Sequence, residues 1–352
     1  MSALPTMTPE PARPTRARWA RRALTATALA LTVCAGTAVT GLTPAHAGTA
    51  PAGPSAGPTL PVGASPLGVA VSPDGTKTYA TNAEDGTISV IKVSTDAVVA
   101  TLEVGGAPSA VAFSPTSDKA YVTDYRSNTV SVIKVSTDTI VGTFTVSSPS
   151  YGVAFSPTSD KAYVTDFSRN TVSVIKVSTD TVIGTIAVGS YPVWVAFSKD
   201  GSKAGVINFI GGTVSGINPN TDTVVVTIGV GNNPIGGAFS PDGTKAYVTG
   251  GNYKYNNNGN WVSVIDVATR KVVSTIPVGR YSWTVAFSPD GTKAYVTNAF
   301  SSNTISVIKV STNTVVATIP TGRQPTGVAF TPDGSKAYVT NYGDTTVSVI
   351  NS

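Results

Sequence analysis

Val285-Ala286-Phe287-Ser288-Pro289-Asp290-Gly291-Thr292-Lys293-Ala294-Tyr295-Val296-Thr297-Asn298 decides the fold, because the chain repeats this phrase along its length. Val285-Ala286-Phe287 is a short apolar run. Ser288-Pro289-Asp290-Gly291 ends it with a turn: Pro presets φ, Asp bonds back to its own backbone, and Gly supplies φ > 0. Lys293–Thr297, rich in Tyr and β-branched residues, reads as a second strand. A polar loop, Asn298–Asn303, leads to the alternating run Thr304–Val310, a third strand. Ser311-Thr312-Asn313 turns the chain and Thr314–Pro320 is the fourth strand. Four strands joined by tight turns make an antiparallel meander, labelled A to D.

The Phe of the phrase, or its stand-in, falls at Val71, Phe113, Phe155, Phe197, Phe239, Phe287 and Phe330. Four steps of 42 residues are followed by steps of 48 and 43. A period near 42 built from β-formers marks a propeller blade, and the 3.6-residue period of helical repeats is absent. The expected fold is all-β: a seven-bladed β-propeller of four-stranded antiparallel blades. Gly and Ala recur in strand A (Gly68, Ala70; Gly152, Ala154; Gly327, Ala329), which suits the crowded centre of a radial array. Blade seven has strands A, B and C, but the sequence ends at Ser352 before a D. Pro58–Gly63 matches the strand D endings Ile276–Gly279 and Ile319–Gly322, so an N-terminal strand completes the last blade and covers an open edge. The expected organisation is a signal peptide at 1–47, a flexible Gly/Pro/Ala linker at 48–57, and one propeller domain at 58–352.

The repeated unit resembles the YVTN-family β-propeller repeat, from about residue 58 to the end. The naming tetrapeptide stands at Tyr295–Asn298 and Tyr338–Asn341, and drifts to YATN at Tyr79–Asn82 and to YVTD at Tyr121–Asp124 and Tyr163–Asp166. Blade five has Tyr247-Val248-Thr249-Gly250; blade four departs most, with Gly205-Val206-Ile207-Asn208. The resemblance implies a bacterial or archaeal surface or secreted propeller, and carries no universal catalytic motif.

Residues 1–47 read as an export signal. Arg13, Arg16, Arg18, Arg21 and Arg22 form a basic start, Ala23–Val39 an apolar core too short and Ala/Thr-rich for a membrane span, and Ala45-His46-Ala47 a cleavage site. The expected product is secreted and extracellular, with no membrane span once the signal is removed. The whole chain carries +5; taking away five Arg and one Glu leaves 19 basic and 18 acidic residues, a net +1. That balance gives no case for nucleic acid, which needs a basic patch. His46 and Cys34 are the only His and Cys. A chain starting at Gly48 therefore has no Ser-His-Asp triad, Cys nucleophile, imidazole base, Cys/His zinc site or disulfide. No metal or cofactor is expected, and a monomer is.

The A–B and C–D turns, on one face, are monotonous. The D–A and B–C loops, on the other, vary. At or just beyond the D–A loops stand Tyr151, Tyr191, Trp194, Arg280, Tyr281, Trp283, Arg323 and Gln324. The B–C loops add Tyr125, Arg126, Tyr253 and Tyr342. Aromatics with Arg and Asn are the ingredients of a recognition surface, although Tyr151, Trp194 and Trp283 could equally plug the channel. Most Asp residues follow the blade period and read as turn formers. Asp124 and Asp166 replace the Asn of YVTN in adjacent blades and are the catalytic candidates. Two function classes follow. The favoured one is a secreted binding protein holding an extracellular protein, peptide or cell-wall glycan on the variable face. The alternative is an extracellular lyase or hydrolase acting on a polysaccharide or lactone without His or Cys chemistry.

Overall fold

The structure, a computed structural model, describes residues 53–158, 160–250, 260–300 and 302–352. The expected signal at 1–47 and Tyr253 lie outside the described residues. Seven four-stranded antiparallel sheets form the blades of a ring, and no helix occurs among the described residues. Blade one runs Pro66–Val71 (A), Lys77–Asn82 (B), Thr87–Lys92 (C) and Ala97–Glu103 (D), paired in that order. Neighbouring blades meet through their A strands, and their D strands barely touch, so A is innermost. The small residues of strand A follow from this. A Cβ at Gly68 would lie 2.4 Å from the carbonyl oxygen of Ser109, and one at Gly236 2.6 Å from that of Trp283.

Blade seven is closed by the N-terminal strand Ser55–Pro61, which pairs with Thr346–Asn351 outside Lys336–Asn341 and Pro325–Phe330. Leu60 pairs with Val347 and is buried. The strand begins at Ser55, three residues inside the stretch expected as linker, and a bulge between Ala56 and Thr59 accommodates Pro58.

The repeated phrase does three jobs between blades. First, the Tyr of strand B fills the space facing the next blade. In blade one, Ala70, Tyr79, Val90 and Ala100 pair across the sheet and share one face. Tyr79 is fully buried, its ring centroid 4.7 Å from that of Phe113 in blade two. Tyr121–Phe155, Tyr163–Phe197, Tyr247–Phe287 and Tyr295–Phe330 repeat the contact at 4.6–4.8 Å.

Second, Lys and Tyr of strand B clasp the next blade's C–D turn. Lys77 Nζ lies 2.7 Å from Asp138, and the Tyr79 hydroxyl donates to the same carboxylate. Lys119 and Tyr121 meet Asp180, Lys161 and Tyr163 meet Asp222, and Lys336 and Tyr338 meet Asp96 across the closure. Blade five uses a neutral acceptor: Tyr247 donates to Asn313 at 2.6 Å. The C–D aspartates read as turn formers are therefore also inter-blade acceptors. They hold the left-handed φ the turn needs, between 48 and 53° for Asp96, Asp138, Asp180 and Asp222.

Third, the Thr of YVTN staples A strands. The Thr81 hydroxyl donates to the Ser109 carbonyl of blade two, and Thr123, Thr249, Thr297 and Thr340 do the same one blade on. Blade four has Ile207 at this position. There the Trp194 indole N–H makes the tie instead, donating to the Gly237 carbonyl of blade five at 2.7 Å.

Candidate recognition face

Each D–A loop must reverse the chain just before strand A. In five blades the residue directly before strand A has a left-handed φ: Ser65, Tyr191, Asn233, Tyr281 and Gln324, between 52 and 62°, while blade two uses the preceding pair Gly105-Gly106. Blade three has Pro149, whose ring forbids that conformation. Gly and Asn adopt it cheaply. A bulky Tyr does not, at a cost on the order of 1–2 kcal/mol. Tyr191 and Tyr281 are held there nonetheless, each half-buried with its ring against phenylalanines of the B–C loops. Tyr191 lies 4.9 Å from Phe167 and 6.1 Å from Phe209, and Tyr281 lies 5.3 Å from Phe300, between ring centroids.

The expected residues fall into three groups. Around blade four, Tyr151, Tyr191, Trp194 and Phe209 pack on one apolar cluster that includes Val193, Ile207 and Val230. Tyr125 joins it through Tyr151, 6.4 Å between centroids, and the Arg126 guanidinium carbon stands 5.4 Å over the Tyr125 ring. Tyr342 of blade seven belongs to the same neighbourhood. Burial pushes the Tyr342 hydroxyl above the ordinary tyrosine range, with Tyr125 and Glu84 adding to the rise and Ser65 and Arg126 opposing it. Tyr151 is raised in the same way, by burial and then by Tyr125, Tyr342 and Tyr191. These phenols from blades two, three, four and seven converge on the channel mouth.

The second group is Arg280, Tyr281 and Trp283 on blade six. Arg280 is exposed, its backbone N–H donating to Ser302. Trp283 is half-buried, and its carbonyl accepts the Thr249 staple. The third is Arg323 and Gln324 on blade seven. Arg323 pairs with Asp344 at 2.7 Å while staying 71% exposed in its side chain, so the pair adds little stability and leaves the guanidinium accessible.

The two carboxylate candidates are engaged within their own blades. Asp124 accepts from the backbone N–H groups of Ala107 and Arg126 and from the Ser127 hydroxyl, and so caps its loop. Asp166 is fully buried and accepts from the hydroxyls of Thr171 and Ser173. Burial raises its carboxyl above the ordinary range, opposed by those hydroxyls and the Ser147–Ser148 backbone. Neither arrangement provides an acid and a base facing a common space. Among the described residues no three of Asp, Glu, His and Cys come together.

Trp261 escaped the sequence reading. It stands where other blades carry Thr87, Thr129 or Thr304, and its indole occupies the place of the YVTN Asn: a Cβ at Gly250 would lie 2.3 Å from its Cε2. The signal was present in the paired change of Asn to Gly and Thr to Trp.

The architecture defines the chain as a seven-bladed β-propeller. No protein-family model matches it, and neither does any curated protein. A solved Kuenenia stuttgartiensis hydrazine synthase chain is similar in fold, with a TM-score of 0.75 at 23% identity over 83% of this chain and 96% of that one. No helix of the described residues is long and apolar enough to cross a membrane.

Proposed function

We propose that the chain is an extracellular binding protein that holds a protein, peptide or cell-wall glycan on the face made by its D–A and B–C loops. The observation that carries this is the placement of Tyr191 and Tyr281 at left-handed positions where blades one, five and seven use Ser, Asn and Gln. The fold does not need tyrosine there, and the conformational cost falls on the face where Trp283, Arg280 and Arg323 are accessible. Fixed aromatics supply contact area at low entropy cost, and Arg adds directed hydrogen bonds. YVTN-type resemblance and the leader-like 1–47 segment support an exported product. The absence of His and Cys after residue 47 weighs against the lyase or hydrolase reading.

The experiment is a glycan array and a secreted-protein pull-down with wild type, Trp283→Ala, Arg280→Ala and Tyr191→Asn. Lys92→Ala, at the end of a C strand on the opposite face, serves as control. Loss of at least about 2 kcal/mol at one of the first three is expected, the size of a hot spot. Loss confined to Lys92→Ala would place binding on the wrong side of the disc.

A further inference from the structure

On the face opposite the recognition loops, the strand B tyrosine is present at every junction but one, between blades four and five. Between blades four and five the inter-blade unit is altered in four places at once. The row that reads Ala70, Tyr79, Val90, Ala100 in blade one reads Ala196, Gly205, Gly216, Val226 in blade four. Tyr and Val are both lost, and Val226 returns only part of the volume. On the facing C–D turn, Arg270 stands where Asp96, Asp138, Asp180, Asp222 and Asn313 supply an acceptor. It does so at φ 59°, a conformation cheap for Asp or Asn and costly for Arg.

The result is a cavity of about 330 Å³, at the lower end of the size range of small-molecule sites. Its walls are apolar: Phe239, Ile265, Val226 and Ile228 among them. At the rim are the exposed Lys203 and Arg270. Neither has a carboxylate within salt-bridge distance among the described residues, and Lys203 Nζ contacts only the Ser202 hydroxyl at 3.2 Å. Phe239 is the counterpart of the phenylalanines that pack on a tyrosine ring elsewhere, and here no ring faces it among the described residues. Glycine is not needed for the backbone at Gly205. Its φ is ordinary, and a Cβ there would meet Phe239 and Val214 at 3.6 Å, normal contact.

We propose that this cavity binds a small aromatic carboxylate, with its ring on Phe239 in the place of the missing tyrosine and its carboxylate between Lys203 and Arg270. The junctions of blades one to four show the same arrangement inside the chain: an aromatic ring on Phe, next to a cation–carboxylate pair. Here the protein keeps the Phe and the Lys, drops the ring and the carboxylate, and adds a second cation. The absent parts together are an aryl acid. This site lies on the opposite face from the recognition loops and does not depend on their reading.

The test is calorimetric titration with phenylacetate, 3-phenylpropionate, 4-hydroxybenzoate and indole-3-acetate, with 3-phenylpropionamide as the uncharged probe. At least one acid should bind saturably at one site, and the amide at least tenfold more weakly than its acid. Arg270→Gln should weaken the acid at least tenfold and leave the amide unchanged. Gly205→Tyr should abolish binding and raise the thermal midpoint by filling the cavity. The charge contrast between acid and amide holds even if Gly205→Tyr fails to fold. No binding of any of the four acids overturns the proposal. So does equal binding of acid and amide, or undiminished binding by a folded Gly205→Tyr protein.

Discussion

The Tyr79 hydroxyl of blade one donates to the Asp138 carboxylate of blade two, 2.5 Å away and 59 residues along the chain. The same carboxylate receives Lys77 at 2.7 Å. A fully buried phenol needs an acceptor, and leaving it without one costs about 1–3 kcal/mol. Asp138→Ala should therefore lower unfolding stability by about that amount. Asp138→Asn should cost less, because Asn313 already serves Tyr247 in the equivalent place. Urea denaturation of the two variants decides it; equal losses would show that the clasp is not an acceptor effect.

The same phenols set the alkaline limit. Burial raises the Tyr247 hydroxyl from 10.0 to about 12 with a neutral acceptor. Tyr79, Tyr121, Tyr163 and Tyr338 are pushed further, first by burial and then by the aspartates they face. A tyrosine raised in the folded state contributes stability in full below its unfolded value, and loses it as pH rises through the folded one. Stability should thus hold up to about pH 10 and fall beyond it. These five phenols should ionise together with unfolding when phenolate absorbance and circular dichroism are followed side by side. Phenolate appearing in full while the fold is intact would contradict the clasp.

Closure rests on Ser55–Pro61. Removing it exposes the Thr346–Asn351 edge and uncovers Leu60's partner Val347. Each lost ladder bond is worth about 0.5–1.5 kcal/mol net, and an open edge invites pairing with other chains. Deletion of residues 48–62 should lower the denaturation midpoint and give concentration-dependent aggregation in light scattering. An unchanged midpoint would mean that blade seven is held without its fourth strand.

The blade count, the strand pattern and the closure could all be read from sequence, because seven copies state each of them. Partnership between blades could not. Asp138 looks like any turn former until Tyr79 is seen beside it, since the two belong to different repeats. Trp194 looks like a channel plug, and only the position of the Gly237 carbonyl shows that its indole replaces a threonine staple. Gly205 was visible as a departure from the repeat, and Arg270 went unremarked. Their connection lies in the geometry, which sets the strand B position of one blade against the C–D turn of the next.

Asp166 provides the last prediction. Asn82, Asn208, Asn298 and Asn341 occupy the equivalent place and donate to a Thr and a Ser hydroxyl of strand C. Asp166 accepts from Thr171 and Ser173 instead, so the hydroxyl protons are turned towards it. Asparagine therefore fits the site with a simple reversal of donors. Burial raises the carboxyl pKa in the folded state, so folding favours its protonated form. The linkage sign follows: the acid is best tolerated below its unfolded value of 3.8, and stability is lost as pH rises through the folded value. Above that unfolded value, burial of the carboxyl, with nothing of opposite charge bonded to it, works against folding, and Asp166→Asn relieves it. We expect the variant to be more stable than wild type at pH 7 by about 1 kcal/mol, with the difference shrinking towards zero as pH is lowered to about 3. Thermal denaturation across that range measures it. A variant that is less stable at pH 7, or a gain that grows on acidification, would mean that the Asp166 carboxylate is stabilised by its hydroxyl partners more than burial opposes it.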